Sequence, residues 1–189
     1  MRRIAIVASR REIDTPEAFA GAHRLGLLLG ENRLTVIVQT PLVGPLGTVV
    51  DAALSTGGRV MVLATADLDP PSPDAEVRRV ATDGDARSET GNHADAFLVL
   101  PGGVESLESA FELWTWATDR EPDQPLGVWD DREFFSELLR AAGDDAVDRF
   151  ARESQRGQLV VSRDPTDVLR RLADYRPPET RRFTAFDDD

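Results

Sequence analysis

The sequence contains no cysteine, no lysine and only two histidines. Without cysteine there are no disulfides, thiolate nucleophiles or cysteine-bound metals. His23 and His93 are too few for a histidine cluster, so neither a metal nor a cofactor is expected. Without lysine a P-loop of the form G-x-x-x-x-G-K-[ST] cannot be written, and no G-x-G-x-x-G follows the first apolar run. Kinase-like and redox readings lose most of their support. Long apolar runs are also missing: none approaches the ~20 residues of a membrane span. The run Ile4 to Ala8 near the start is strand length, not signal-peptide length. No membrane partner is expected, and a cytoplasmic location is.

Charge of one sign is scarce in a second sense. The 22 basic residues, all arginine, face 34 acidic ones and leave a net charge of −12. An acidic, arginine-only surface suits a chain that stays soluble where salt screens charges to a few Å, as in a halophilic microbe. A GC-rich genome, in which Arg codons displace Lys codons, gives the same composition. Under either origin nucleic acid is not an expected partner, since its phosphates would meet net repulsion. A hydrophobic share of 41% over 189 residues is enough for one packed core. One domain over residues 1–175 is expected, followed by an irregular acidic tail over 176–189.

Within that domain, short apolar runs alternate with amphipathic segments. Strands are predicted over 3–8, 34–39, 59–64, 96–101, 126–130 and 158–162, each rich in Val, Ile and Leu without alternation. Such runs are buried on both faces, as in a parallel sheet covered by helices. The expected fold is a Rossmann-like, doubly wound α/β sheet of six or seven strands. Helices are predicted over 14–30, 47–58, 105–119, 132–143, 144–153 and 164–175; the first has Pro16 near its start, the last Asp164 as a cap before Pro165. Residues 67–93 are rich in proline and charge, so they read as a long excursion with a short strand at 76–80.

In an open parallel sheet, ligands bind at the carboxyl ends of strands, where loops meet helix N-termini. Those ends carry Ser9, Arg10 and Arg11, then "TPLVGPLGT" (40–48), "PGGVES" (101–106), and Asp130 with Asp131. Adjacent glycines at 102 and 103 let a backbone approach a ligand, and a helix N-terminus attracts anions. Bland alternatives stand beside each: a plain turn, solvated surface arginines, and two aspartates that cap the next helix.

The runs "QTPLVGPLG" (39–47), "AALSTGGRVMVL" (52–63), "ADAFLVLPGG" (94–103) and "PGGVESLES" (101–109) occur in that order. With them the chain resembles the LOG ("lonely guy") family, nucleoside 5′-monophosphate phosphoribohydrolases long described as lysine decarboxylases. The wider kin of that family include molybdenum-cofactor carrier proteins. The resemblance runs over residues 3 to 175. It implies a loop G-G-G-x-x-G-L-M-G after the second strand and P-G-G-x-G-T-x-x-E after the fourth. In the family, glycine amides and the Thr hold the 5′-phosphate, while the closing Glu and an upstream Arg act on ribose and base.

The strand ends, taken together with the resemblance, make Ser9, Arg10, Thr40, Gly44, Gly47, Gly102, Gly103 and Ser106 the candidate ligand contacts. The chain departs from the pattern at several places. Ser109 stands where the catalytic Glu is expected, and Glu108 lies one residue early, a rotation of ~100° on a helix. Glu105 replaces a glycine, Ser106 replaces the Thr, and Gln39, Thr40 and Pro41 replace three glycines. Arg87 lies one position from the family's Arg, and a single-residue gap restores the match.

Three functions are therefore in view. The first is binding of a nucleotide or phosphate-bearing small molecule with the hydrolytic acid lost. The second is a phosphoribohydrolase in which Glu105 or Glu108 stands in, with Arg87; the third is a structural homologue without a ligand. Glu105 and Glu108 also read simply as acids complementing a helix dipole. On the helix 105–119, Leu107, Ala110, Phe111, Trp114 and Thr118 share one face, leaving Leu113 and Trp116 off it. Those two are candidates for a subunit contact, and the resemblance implies a homodimer with the site near its interface.

Overall fold

In a computed structural model of the chain, residues 1–9, 15–67, 69–119, 124–142 and 156–177 are described. The apolar runs form seven strands: β1 (Arg3–Val7), β2 (Thr35–Gln39), β3 (Arg59–Ala64), β4 (Ala75–Arg79), β5 (Ala96–Val99), β6 (Leu126–Trp129) and β7 (Leu159–Ser162). Every pairing is parallel, in the order β4-β3-β2-β1-β5-β6-β7. This is the Rossmann-like sheet expected, and the direction of winding reverses between β1 and β5.

Successive strand residues point to opposite faces, so the central strands must be apolar throughout. Ile4 and Ile6 enter one core layer; Ala5 between them enters the other. The first layer lies under α1 (Pro16–Glu31), α2 (Gly44–Ser55) and, closing the chain, α6 (Pro165–Asp174). The second lies under α3 (Asp83–His93), α4 (Val104–Asp119) and α5 (Phe134–Ala142). Helix starts follow the predicted chemistry. Thr15 caps α1 ahead of Pro16, its hydroxyl accepting from the Ala18 amide, and Asp164 caps α6 ahead of Pro165, accepting from the Thr166 amide at 2.9 Å. The helix predicted over 144–153 lies outside the described residues, as does the tail predicted over 176–189 from residue 178 on.

Three elements differ from expectation. The helix predicted over 47–58 begins earlier, at Gly44, which adopts φ 54°, so residues expected in the ligand loop form the first turn of α2. The excursion over 67–93 contains the short strand expected there, β4 at the sheet edge, and in addition a helix that was not expected, α3. Helix α3 lacks an apolar stripe; a capping box secures its start, with the Thr82 hydroxyl accepting from the Asp85 amide at 3.1 Å and the Asp85 carboxylate accepting from the Thr82 amide at 3.0 Å. The edge strand β4 carries Glu76, Arg78 and Arg79, and Arg78 pairs with Glu76 at 2.6 Å.

The third difference is the rotation of α4. Trp116 faces inward, its ring edge-on to Phe97 at 5.6 Å between centroids and the outer edge of its six-membered ring against Gly91 of α3. Leu113 also packs on the second layer, whereas Phe111 is 39% exposed and Leu138 of α5 is 40% exposed. The indole finds space only because Gly91 has no side chain, and sequence spacing alone does not reveal that hole.

Candidate functional site

A cavity of about 360 Å³ opens at the carboxyl ends of β1 and β2, closed on one side by α3 and on another by α4. Its position beside the reversal between β1 and β5 is where open α/β sheets place ligands. Its floor comes from strand ends and from Leu46 of α2; its walls carry the polar side chains.

Helix α4 supplies most of the chemistry. Glu105, Glu108 and Glu112 recur at helical spacing, so one face presents three carboxylates to the cavity with Ser109 among them. Ser9, at the end of β1, donates its hydroxyl hydrogen to the Glu105 carboxylate at 2.7 Å, tying the first strand to the first turn of α4. From α3, the Arg87 guanidinium donates to Glu112 at 2.6 Å. Both partners of that pair are more than half exposed, so its net contribution to stability is small. Gln39 donates to the Thr90 hydroxyl at 2.9 Å, which itself donates to the Ala86 carbonyl, fixing the inner end of the cavity. Asp83 completes the wall, so the described lining holds four carboxylates and one guanidinium.

Of the residues singled out in the sequence, Ser9, Thr40, Arg87, Glu105 and Glu108 line this cavity together. Gly44 and Gly47 sit in the first turn of α2, and Gly102 and Gly103 form the turn into α4, outside the lining. Ser106 is buried on the first turn of α4; its hydroxyl has no hydrogen-bond partner and lies so close to Gly102 that a Cβ there would meet it at 1.8 Å. Arg10 lies outside the described residues. Glu112 was missed in the sequence. The available signal was its spacing, four residues after Glu108 and seven after Glu105, which puts all three on one helix face.

Asp130, at the end of β6, takes the bland role. The buried Asp130 carboxylate accepts from the amides of Phe135 (3.0 Å) and Ser136 (2.8 Å) and from the Ser136 hydroxyl (2.7 Å), capping α5. Burial raises the pKa of the neighbouring Asp131 carboxyl, opposed by the adjacent Arg132. Among the described residues no group of three or more His, Asp or Glu is placed to hold a metal ion, and no helix is long and apolar enough to cross a membrane.

A Rossmann-like parallel sheet with a cavity at its winding reversal defines the general class. Within that class, residues 46–172 match the family described as "Possible lysine decarboxylase". The chain belongs to that family, the LOG family.

The chain is 29% identical over 181 residues to a cytokinin riboside 5′-monophosphate phosphoribohydrolase of Arabidopsis thaliana, covering 93% of this chain and 83% of the relative. It is 28% identical over 149 residues to an enzyme of the same name from Rhodococcoides fascians, covering 76% and 75%. Among solved structures, the molybdenum cofactor binding protein of Rippkaea orientalis superposes with a TM-score of 0.63 at 14% identity, over 91% of this chain and 95% of that one. At that identity the likeness concerns the fold alone.

Proposed function

We propose that this protein binds a nucleoside- or nucleotide-class small molecule in the cavity between α3 and α4 without efficient hydrolysis. The observation that carries this reading is the convergence of Ser9, Thr40, Arg87 and Glu108 on one cavity at the winding reversal. The relatives act on cytokinin riboside 5′-monophosphates by name. Ser109 takes the position of the acid that the LOG resemblance assigns to the N-glycosidic step, and it faces the cavity. Serine cannot supply the negative charge that steadies a ribose cation, so the step loses its main electrostatic support.

Purified protein in molar KCl, offered a panel of nucleosides and their monophosphates, is expected to show ligand-dependent thermal stabilisation without free base on chromatography. Ser109→Glu combined with Glu105→Gly is expected to raise base release above that of the unaltered chain. Brisk release by the unaltered chain overturns the binding reading and favours a second one, a phosphoribohydrolase. That alternative draws on the three carboxylates of α4, which line the cavity where a cationic transition state would form. Under it, Glu108→Gln abolishes release.

The exposed Phe111, in ring contact with Phe135 at 5.6 Å, and the exposed Leu138 support a homodimer formed through α4 and α5. Light scattering is expected to give twice the chain mass of 20.8 kDa, and Phe111→Asp with Leu138→Asp to halve it. A monomeric unaltered chain would end that part of the proposal. The net charge of −12 supports a salt-adapted cytoplasm as its setting.

A further inference from the structure

Gln39 ends β2, and its side chain leaves the sheet on the same face as that of Ile37, toward the layer under α3 and α4. Its Nε2 donates to the Thr90 hydroxyl at 2.9 Å, and that hydroxyl donates in turn to the Ala86 carbonyl at 2.7 Å. Two oxygens at 2.7 Å with no hydrogen between them would repel, so the one hydroxyl hydrogen of Thr90 is committed to Ala86. Thr90 can therefore only accept from Gln39, which determines the end of the amide that is nitrogen and the end that is oxygen. The Gln39 Oε1 accepts from no described residue. Nor is it shut away, since among the described residues the buried side-chain polar atom without a partner is the Ser106 hydroxyl, while Gln39 lines the cavity. From this we infer that Gln39 is a specificity-determining residue. It presents a fixed acceptor to the base of the ligand, so the cavity takes an amino base, of adenine or cytosine type, in preference to the oxo base that differs from it by that one group. The inference rests on the binding reading above and names the ligand class within it.

The surroundings of the amide support this role. Ile37, Leu113 and Trp116 line the cavity from the same core layer, and these apolar walls suit an uncharged ring better than solvent. In such a setting an acceptor left without a donor is costly. The exocyclic amine of adenine or cytosine donates, whereas the oxo group of hypoxanthine or uracil only accepts. An amine thus completes Oε1, while an oxo group in its place sets two acceptors face to face. A site built around a hydrogen bond rejects the analogue that lacks the partner more sharply than an apolar pocket rejects a change of size. An amide free to turn would offer its nitrogen to the oxo group and accept both bases. Thr90, which is 3% exposed, prevents that turn and is a positioning residue acting through Gln39. The LOG resemblance places glycine at position 39, so this reader belongs to the chain's own departures from the pattern.

The test is titration calorimetry on the full chain with two matched pairs, the 5′-monophosphates of adenosine and inosine and those of cytidine and uridine. Ribose and phosphate are the same within each pair, so their contributions cancel in the ratio. The expected result is at least one amino base bound about tenfold or more tightly than its oxo counterpart. N6-methyladenosine 5′-monophosphate, which keeps one N–H, should bind about tenfold more tightly than the N6,N6-dimethyl compound, which has none. In Gln39→Leu the amino-to-oxo ratio should fall toward one. In Thr90→Val, which keeps the side-chain shape and releases the amide, the oxo base should gain and the ratio should fall several-fold; a merely structural loss would weaken both bases alike. An oxo base bound at least as tightly as its amino counterpart by the unaltered chain overturns the inference while leaving the binding reading intact. So does a dimethyl compound that binds as well as the methyl one, or a ratio unchanged in either variant with folding checked by circular dichroism. If none of the six compounds binds to the unaltered chain, the binding reading fails and this inference fails with it.

Discussion

Replacing Asp130 by alanine is expected to lower stability by about 3 kcal/mol, a loss of roughly 6–12 °C in unfolding temperature for a chain of this size. The carboxylate is buried and accepts three hydrogen bonds at the start of α5. Loss of an N-cap alone costs ~1 kcal/mol. Here the Phe135 amide, beside a ring that is only 2% exposed, would also lose its partner away from water, which adds about 1–3 kcal/mol. Asp130→Asn keeps one acceptor oxygen and should lose about half as much. Thermal denaturation of both variants checks this; a midpoint for Asp130→Ala within ~2 °C of the unaltered protein would show that the cap is dispensable.

Gly91→Ala is the second large effect, and two terms oppose each other in it. Alanine favours a helix over glycine by ~1 kcal/mol. Against that, a Cβ on Gly91 would lie 1.4 Å from the Trp116 ring, which is itself held edge-on by the buried Phe97. Overpacking of this severity costs about 3 kcal/mol, so it wins and leaves a net loss of about 2 kcal/mol. The indole must move, and because α3 carries Arg87 while α4 carries Glu112, the two cavity walls separate with it. Ligand affinity should therefore fall along with stability. The double variant Gly91→Ala with Trp116→Leu tests the mechanism: it should be more stable than the sum of the two single losses predicts, since the smaller side chain removes the clash.

The same glycine explains which parts of the molecule could be read from the sequence. Six strands were legible because their Val, Ile and Leu runs, such as Val36 to Val38, are apolar on both faces. Helix α3 was not, since "DGDARSETGNH" offers only Ala86, Thr90 and Gly91 to the interior. A helix that packs by receiving its neighbour's ring at a glycine leaves no apolar stripe to detect. Helix α4 was legible as a helix but not in rotation: pattern alone put Phe111 inward and Trp116 outward, and the space at Gly91 reverses them. In the cavity, Glu105 and Glu108 could be picked out from the strand-turn-helix setting. Glu112 escaped because it lies two turns beyond that signal and depends on α3 for its partner Arg87.

Strand β4 has a bearing on how copies of this protein can meet. A bare parallel edge invites a second sheet to continue it, the route by which many α/β chains polymerise or aggregate. On this edge Glu76 and Arg79 are exposed, and Arg78 is committed both to Glu76 and to His93 on α3, at 2.8 Å. A strand approaching in register would have to bury or displace these charges before gaining backbone hydrogen bonds. Growth through β4 into an open filament is thereby disfavoured.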